Sequence, residues 1–142
     1  KGTLYLYFSS KEELLKAVVR ESIVPLIGQA ESVIEHFEGS SEELFRLVIR
    51  TWWENVGASK LSGLPKLMMA EAGNFPDLAR FYQEEVVDRG ERLVATMLKR
   101  GIDRGDILPM DLTIAPRILI APMIMMMMAT TASMVWVATP VA

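Results

Sequence analysis

The chain has 142 residues, 51% hydrophobic and 23% charged, with 15 Lys and Arg against 18 Asp and Glu for a formal charge of −3. Half-apolar composition excludes a disordered chain, and 9 Gly with 7 Pro exclude a collagen-like or linker-dominated one. Zero Cys removes disulfides, thiolate metal sites and cysteine nucleophiles together, which fits a reducing cytoplasm, and the single histidine, His36, leaves no catalytic triad or multi-histidine metal site. No metal or cofactor is therefore expected. The length suits one domain with a real core, or one domain plus part of a second.

Taken in chain order, only Leu4 to Phe8 alternates like a strand, and it is too short to build a sheet alone. Ser10 with Glu13 then reads as a capping box opening a helix. Leu14, Leu15, Val18, Val19, Ile23, Leu26, Ile27, Ala30, Val33, Ile34 and Phe37 recur every three or four residues behind it. This predicts one long helix over 11–38, kinked at Pro25 and stopped by Gly39. A second box, Ser40 with Glu43, opens a helix through Trp52, Trp53 and Val56 that ends between Gly57 and Gly63.

A short helix is expected over 64–72, a break at Gly73-Asn74, and a restart at Pro76, which suits a first helical turn. The helix 76–100 should stop at Gly101. Glu85 with Arg89 and Asp88 with Arg92 stand four apart on its outer side and read as a solvated face. Gly105-Asp106 ends a connection, and Asp111 caps a last helix from Leu112. There is no repeat of fixed period and no signal-peptide pattern. The predicted fold class is all-α.

Residues 1–15, KGTLYLYFSSKEELL, resemble the recognition helix and following helix of the TetR/AcrR family of transcriptional regulators, whose pattern is Lys-Gly-Thr-Leu-Tyr-x-Tyr/His-Phe, then Ser-Lys-Glu and a Leu pair. If 1–8 is helical, Leu4 and Phe8 share one face while Gly2, Thr3 and Leu6 lie opposite, free to meet a major groove. Gly2 permits close backbone approach, Thr3 offers a hydroxyl, Tyr5 and Tyr7 flank the groove face, and Lys1 and Lys11 supply cations to phosphates. Leu6, where the family often has an aromatic or polar residue, suits methyl packing. The resemblance implies a remnant of a helix-turn-helix DNA-binding domain over 1–20 and a helical regulatory, ligand-binding and dimerisation bundle over 21–142. The two helices that should precede Lys1 are not in this chain, so the fragment alone is not expected to bind operator DNA.

The stretch LMMAEAGNFPDLARFYQEEV (67–86) is similar to one AcrR-like subgroup of these regulatory domains. A pocket between bundle helices would be lined by apolar and aromatic groups with few polar anchors; Trp52, Trp53, Met68, Phe81, Tyr82 and Met97 fit, and Glu71 is the carboxylate of that segment, suited to a cationic or hydrogen-bonding ligand. The plainer reading makes the apolar groups core, makes Glu71 a helix-end partner and places His36 on the surface.

Beyond Asp111 the only charged residue is Arg117, and 118–138 carries no charge at all. That run is long enough to span a bilayer, which opens a membrane-associated alternative. Pro122, the polar patch at 130–133 and the missing flanking Lys/Arg cluster weigh against stable insertion. A homodimer explains the run better: Ile114, Ile118, Ala121, Met125 and Met128 form the expected interface, the methionines filling irregular gaps. A third reading, a helical enzyme built on Glu71, lacks any paired carboxylate, phosphate loop or metal spacing. The resemblance thus implies a non-enzymatic regulator that binds double-stranded operator DNA as a homodimer and responds to a small, largely apolar effector. The long helix 11–38 is its natural lever.

Overall fold

The computed structural model describes residues 10–132, and all regular structure among them is helical, with no strand. The Leu4 to Phe8 run and the faces assigned to Lys1, Gly2, Thr3, Tyr5 and Tyr7 lie outside the described residues. Helix α1 runs Lys11–His36, with Ser10 Oγ accepting from the Glu13 N–H at 3.2 Å. Glu13 does not return the expected bond; its carboxylate turns toward Lys16 at 3.7 Å. Pro25 is carried inside the helix on its exposed side, so it does not end α1.

Helix α2, Ser41–Trp52, starts at a complete capping box: the Ser40 hydroxyl accepts from Glu43 N–H and the Glu43 carboxylate accepts from Ser40 N–H at 2.7 Å. It widens into a π-helical turn at Trp53–Gly57, and a 3-10 turn at Lys60–Gly63 leads into α3, Leu64–Glu71. Helix α4, Pro76–Tyr82, has proline in its first turn as predicted, then a second π-helical turn, Gln83–Val87, and α5, Asp88–Arg104. Helix α6 is Ala115–Ala132.

Two predicted boundaries are corrected. Gly101 does not stop α5; it is buried within the helix because the chain folds back over it, and an added Cβ would collide with the Ile107 side chain. The stop is Gly105, at φ 78°, where the chain needs the left-handed conformation that glycine adopts without strain. Helix α6 starts at Ala115 and not Leu112, since Asp111 Oδ1 accepts from both Thr113 N–H (2.9 Å) and Thr113 O–H (2.6 Å), closing a turn before the helix begins.

Packing divides into two apolar clusters. The larger gathers Leu15, Val19 and Ile23 from α1, Val56 from the first π-turn, Leu64 and Met68 from α3, Leu78 from α4 and Met127 from α6. The smaller joins Ile34, Leu44 and Met97 at the far end of α1. Polar ties fix the helices around them. Arg100 Nη2 donates to the carbonyls of Phe37 (2.9 Å) and Gly39 (2.8 Å), closing the C-terminal end of α1, and buried Ser41 donates to Asp106 at 2.8 Å. Arg89, read from sequence as part of a solvated face, reaches across to Glu31 on α1 with two contacts of 3.0 and 2.7 Å. Asp88 does not pair with Arg92 but accepts from Gln83 at 2.7 Å, bridging the second π-turn.

Candidate functional site

Four of the seven residues expected to line a pocket meet in the larger cluster. Met68 belongs to its buried centre, and Trp52, Phe81 and Tyr82 pack against it, together with Ile124. The route by which each arrives is informative. Trp52 is the last residue of α2 before the first π-turn, and Phe81 and Tyr82 close α4 immediately before the second. Two independent helices therefore each hold one extra residue per turn at the point where they deliver an aromatic ring to the same apolar centre. π-Turns replace tight i→i+4 bonding with a wider, less favourable turn and concentrate at functional sites. Gly57 makes the first one sterically possible, because an added Cβ there would run into the Trp53 indole.

The remaining three lining candidates go elsewhere. Met97 is buried in the smaller cluster with Ile34 and Leu44, because it projects toward α2 and the end of α1. Trp53 faces the surface beside Trp52, ring centroids 6.1 Å apart and planes at 44°. Glu71 stands outside the cluster: Lys11 Nζ donates to its Oε1 at 2.7 Å and Asn74 Nδ2 to its Oε2 at 3.4 Å. Its side chain is 14% exposed against 52% for Lys11. The hydrogen bonds from Lys11 and Asn74 hold the Glu71 carboxyl below its ordinary range, so it is an ionised, neutralised partner. Lys11, expected at a phosphate, thereby ties the first turn of α1 to the end of α3.

Tyr82 stands apart chemically. Burial pushes its phenol up to about 12, so it stays protonated through the physiological range, and among the described residues its hydroxyl makes no hydrogen bond. On the outer side, the Arg20 guanidinium lies 5.4 Å from the centre of the Phe81 ring.

Sequence reasoning missed Val56, Leu78 and Met127 as partners of this centre. Met127 was legible: Ile120, Met123, Ile124 and Met127 share one helical face, and all four are buried or half-buried. The opposite face of α6 is open, with Ile118, Ala121 and Met125 of the expected interface exposed together with Leu119, Pro122 and Met126, and Ile114, just before the helix, is exposed too. Met128 departs from that stripe and is half-buried, one residue round the helix from Met127. Arg117 pairs with Glu91 at 2.9 Å and so pins the start of α6 to α5.

Two open grooves lie away from the cluster. One of about 260 Å³ is lined by Asp88, Glu91, Arg92, Leu112 and Thr113, and one of about 250 Å³ by Glu31, Ile34, Glu35, Leu93 and Thr96. Both are shallow and charged at the rim. Among the described residues there is no grouping of three His, Asp or Glu side chains able to hold a metal, and no helix is long and apolar enough to cross a membrane.

Comparison with known proteins adds one match. The family model described as tetracyclin repressor-like, C-terminal domain, covers residues 38–138. Searches of curated proteins and of solved structures returned no match.

Proposed function

The chain belongs to the tetracyclin repressor-like family of transcriptional regulators, and from that premise we propose that it is a non-enzymatic, cytoplasmic, effector-responsive repressor acting as a homodimer on double-stranded operator DNA. Residues 1–20 form the end of the DNA-binding unit, with Lys1, Gly2, Thr3, Tyr5 and Tyr7 at the groove, while Lys11 is taken up by Glu71. Residues 21–142 form the regulatory and dimerisation part. The effector is small and apolar, and it lodges at the centre shared by Trp52, Met68, Phe81, Tyr82 and Met127.

The observation that carries this reading is the pair of π-turns, Trp53–Gly57 and Gln83–Val87, flanking the same apolar centre from two helices. A tightly packed core needs neither; a centre that must open for a guest gains from two turns already held wide. Met68 and Met127 face that centre, and unbranched thioethers re-pack around a guest more readily than branched side chains do.

Coupling to DNA follows from position. Helix α1 contributes Leu15, Val19 and Ile23 to the centre, and its first turn is bound to α3 through Lys11 and Glu71. A guest that spreads the centre moves α3 and α1 apart, favouring a state in which the two recognition helices of a dimer no longer match successive major grooves, about 34–36 Å apart. Operator affinity then falls by the guest's differential affinity for the two states.

The test uses the full-length gene product. Selection from random duplex DNA should enrich a two-fold site, and an apolar compound that raises the melting temperature of the chain should also release that DNA. Failure to enrich any two-fold site, or a compound that binds tightly and leaves DNA affinity unchanged, contradicts the proposal.

A further inference from the structure

The cations at the start of α1, Lys11, Lys16 and Arg20, are all engaged inside the fold. Lys16, its side chain 18% exposed, lies between Glu12 (3.1 Å) and Glu13 (3.7 Å), and Arg20 rests over the Phe81 ring. Lys11 is the half-exposed one, and its Nζ donates to Glu71 Oε1 at 2.7 Å. The two amines thus face three carboxylates, Glu12, Glu13 and Glu71. Helical spacing does not force the last of these on Lys11: Glu71 ends α3, 60 residues along the chain, and Asn74 Nδ2 donates to its second oxygen at 3.4 Å.

On the DNA-binding reading, Lys11 also stands where a duplex reaches it. It follows Tyr7 by four residues, so the chain keeps the two within about 14 Å. A major groove is about 12 Å wide and bordered on both sides by phosphates. Resting on that reading, we infer that Glu71 is an internal competitor of DNA: its carboxylate occupies Lys11 in the free protein, and on binding the ammonium exchanges Glu71 for a backbone phosphate of the duplex. The carboxylate left behind keeps only the Asn74 amide in a setting 14% exposed, so the exchange has a cost and DNA affinity is lower than Lys11 alone would make it. The cost is that of one partly exposed ion pair, about 2- to 5-fold in affinity. It acts through charge and not through the spacing of the recognition helices, so it is measured without a guest.

The experiment uses the full-length gene product and a random-sequence duplex, with affinity read by fluorescence anisotropy across a salt series. Glu71→Gln should bind about 2- to 5-fold tighter with an unchanged salt slope. Lys11→Gln should bind more weakly and lose about 0.9 from the slope of log affinity against log salt, the signature of one phosphate contact. In the double variant the gain from Glu71→Gln should vanish, because no amine remains to be released. Thermal melts check that each variant folds. Should Glu71→Gln fail to fold, Glu71→Asp, which withdraws a carboxylate of the same charge by one methylene, should likewise bind tighter than the parent. Unchanged or weaker binding on altering Glu71, a gain that survives in Lys11→Gln, or an unchanged slope in Lys11→Gln overturns the inference while leaving DNA binding in place. A parent protein that binds no duplex overturns the DNA-binding reading itself.

Discussion

Glu31 and Arg89 meet through a two-pronged contact, and the hydrogen bond from Arg89 holds the Glu31 carboxyl below its ordinary value of 4.5. Glu43 at the Ser40 cap, Glu71 beside Lys11, Asp106 beside Ser41 and Asp111 beside Thr113 shift in the same direction, each because the folded chain donates hydrogen bonds to the ionised form. A depressed folded value means the contribution is fully present above the unfolded value and is lost as pH falls through the folded one. Stability in urea should therefore be flat near neutrality and decline from about pH 5 to pH 3. Glu31→Gln should lower neutral stability by less than about 1 kcal/mol, since Glu31 is 44% exposed and solvent screens the pair, and should flatten part of the acid decline. A neutral plateau unchanged in height together with an undiminished acid decline would show that the pair contributes nothing. Gly105 is the other residue whose chemistry decides a structural event: at φ 78° any side chain is strained, so Gly105→Ala should cost about 1 kcal/mol in the same assay.

At the scale of elements, the polar signals at helix starts translate directly into structure. Ser40 and Glu43 form both bonds of their box, and Ser40→Ala should lower stability by about 1 kcal/mol, measured by chemical denaturation. The starts of α1 to α4 were legible because caps and prolines act locally, through groups within one turn of each other, whereas α5 begins at Asp88 inside what the sequence reads as one helix over 76–100. Helix ends were less so. Gly101 and Gly105 look alike in sequence, and only the return of Ile107 over the helix decides which one is buried and which one turns the chain. The two π-turns were not read from the sequence: Gly57 gives the Trp53 indole room in the first, but a glycine there does not by itself specify a π-turn, and Gln83–Val87 contains none. Likewise Arg89 read as solvated because its partner, Glu31, lies on another helix.

For the whole molecule, the candidate site was half legible. Amphipathic spacing selects which face of a helix turns inward, and this placed Trp52, Met68, Phe81 and Tyr82 together. It does not say which of two apolar clusters a residue joins, so Met97 was misassigned, nor which charge pairs with which, so Glu71 and Lys11 were read separately although they share one contact. The open face of α6 makes its own prediction. Ile118 is 64% exposed and Met125 67%, on a stripe without charge, and a second copy of the chain is the proposed cover. Ile118→Glu should convert a dimer to a monomer in sedimentation equilibrium while leaving the thermal melt of the monomer unit nearly unchanged, because the side chain contributes little to its own core.

The central claim is that the guest enters the shared apolar centre and not a surface groove, and methionines in the centre, in the smaller cluster and on the surface provide reporters that tell these apart. The most direct measurement is a methyl spectrum of the chain labelled at the methionine methyls, titrated with 4-acetylbiphenyl. Met68 and Met127 should shift strongly, while Met69 and Met110, exposed on the surface, and Met97, in the other cluster, stay in place. Shifts confined to Met69, Met97 or Met110, with Met68 and Met127 unmoved at saturating probe, would contradict the account.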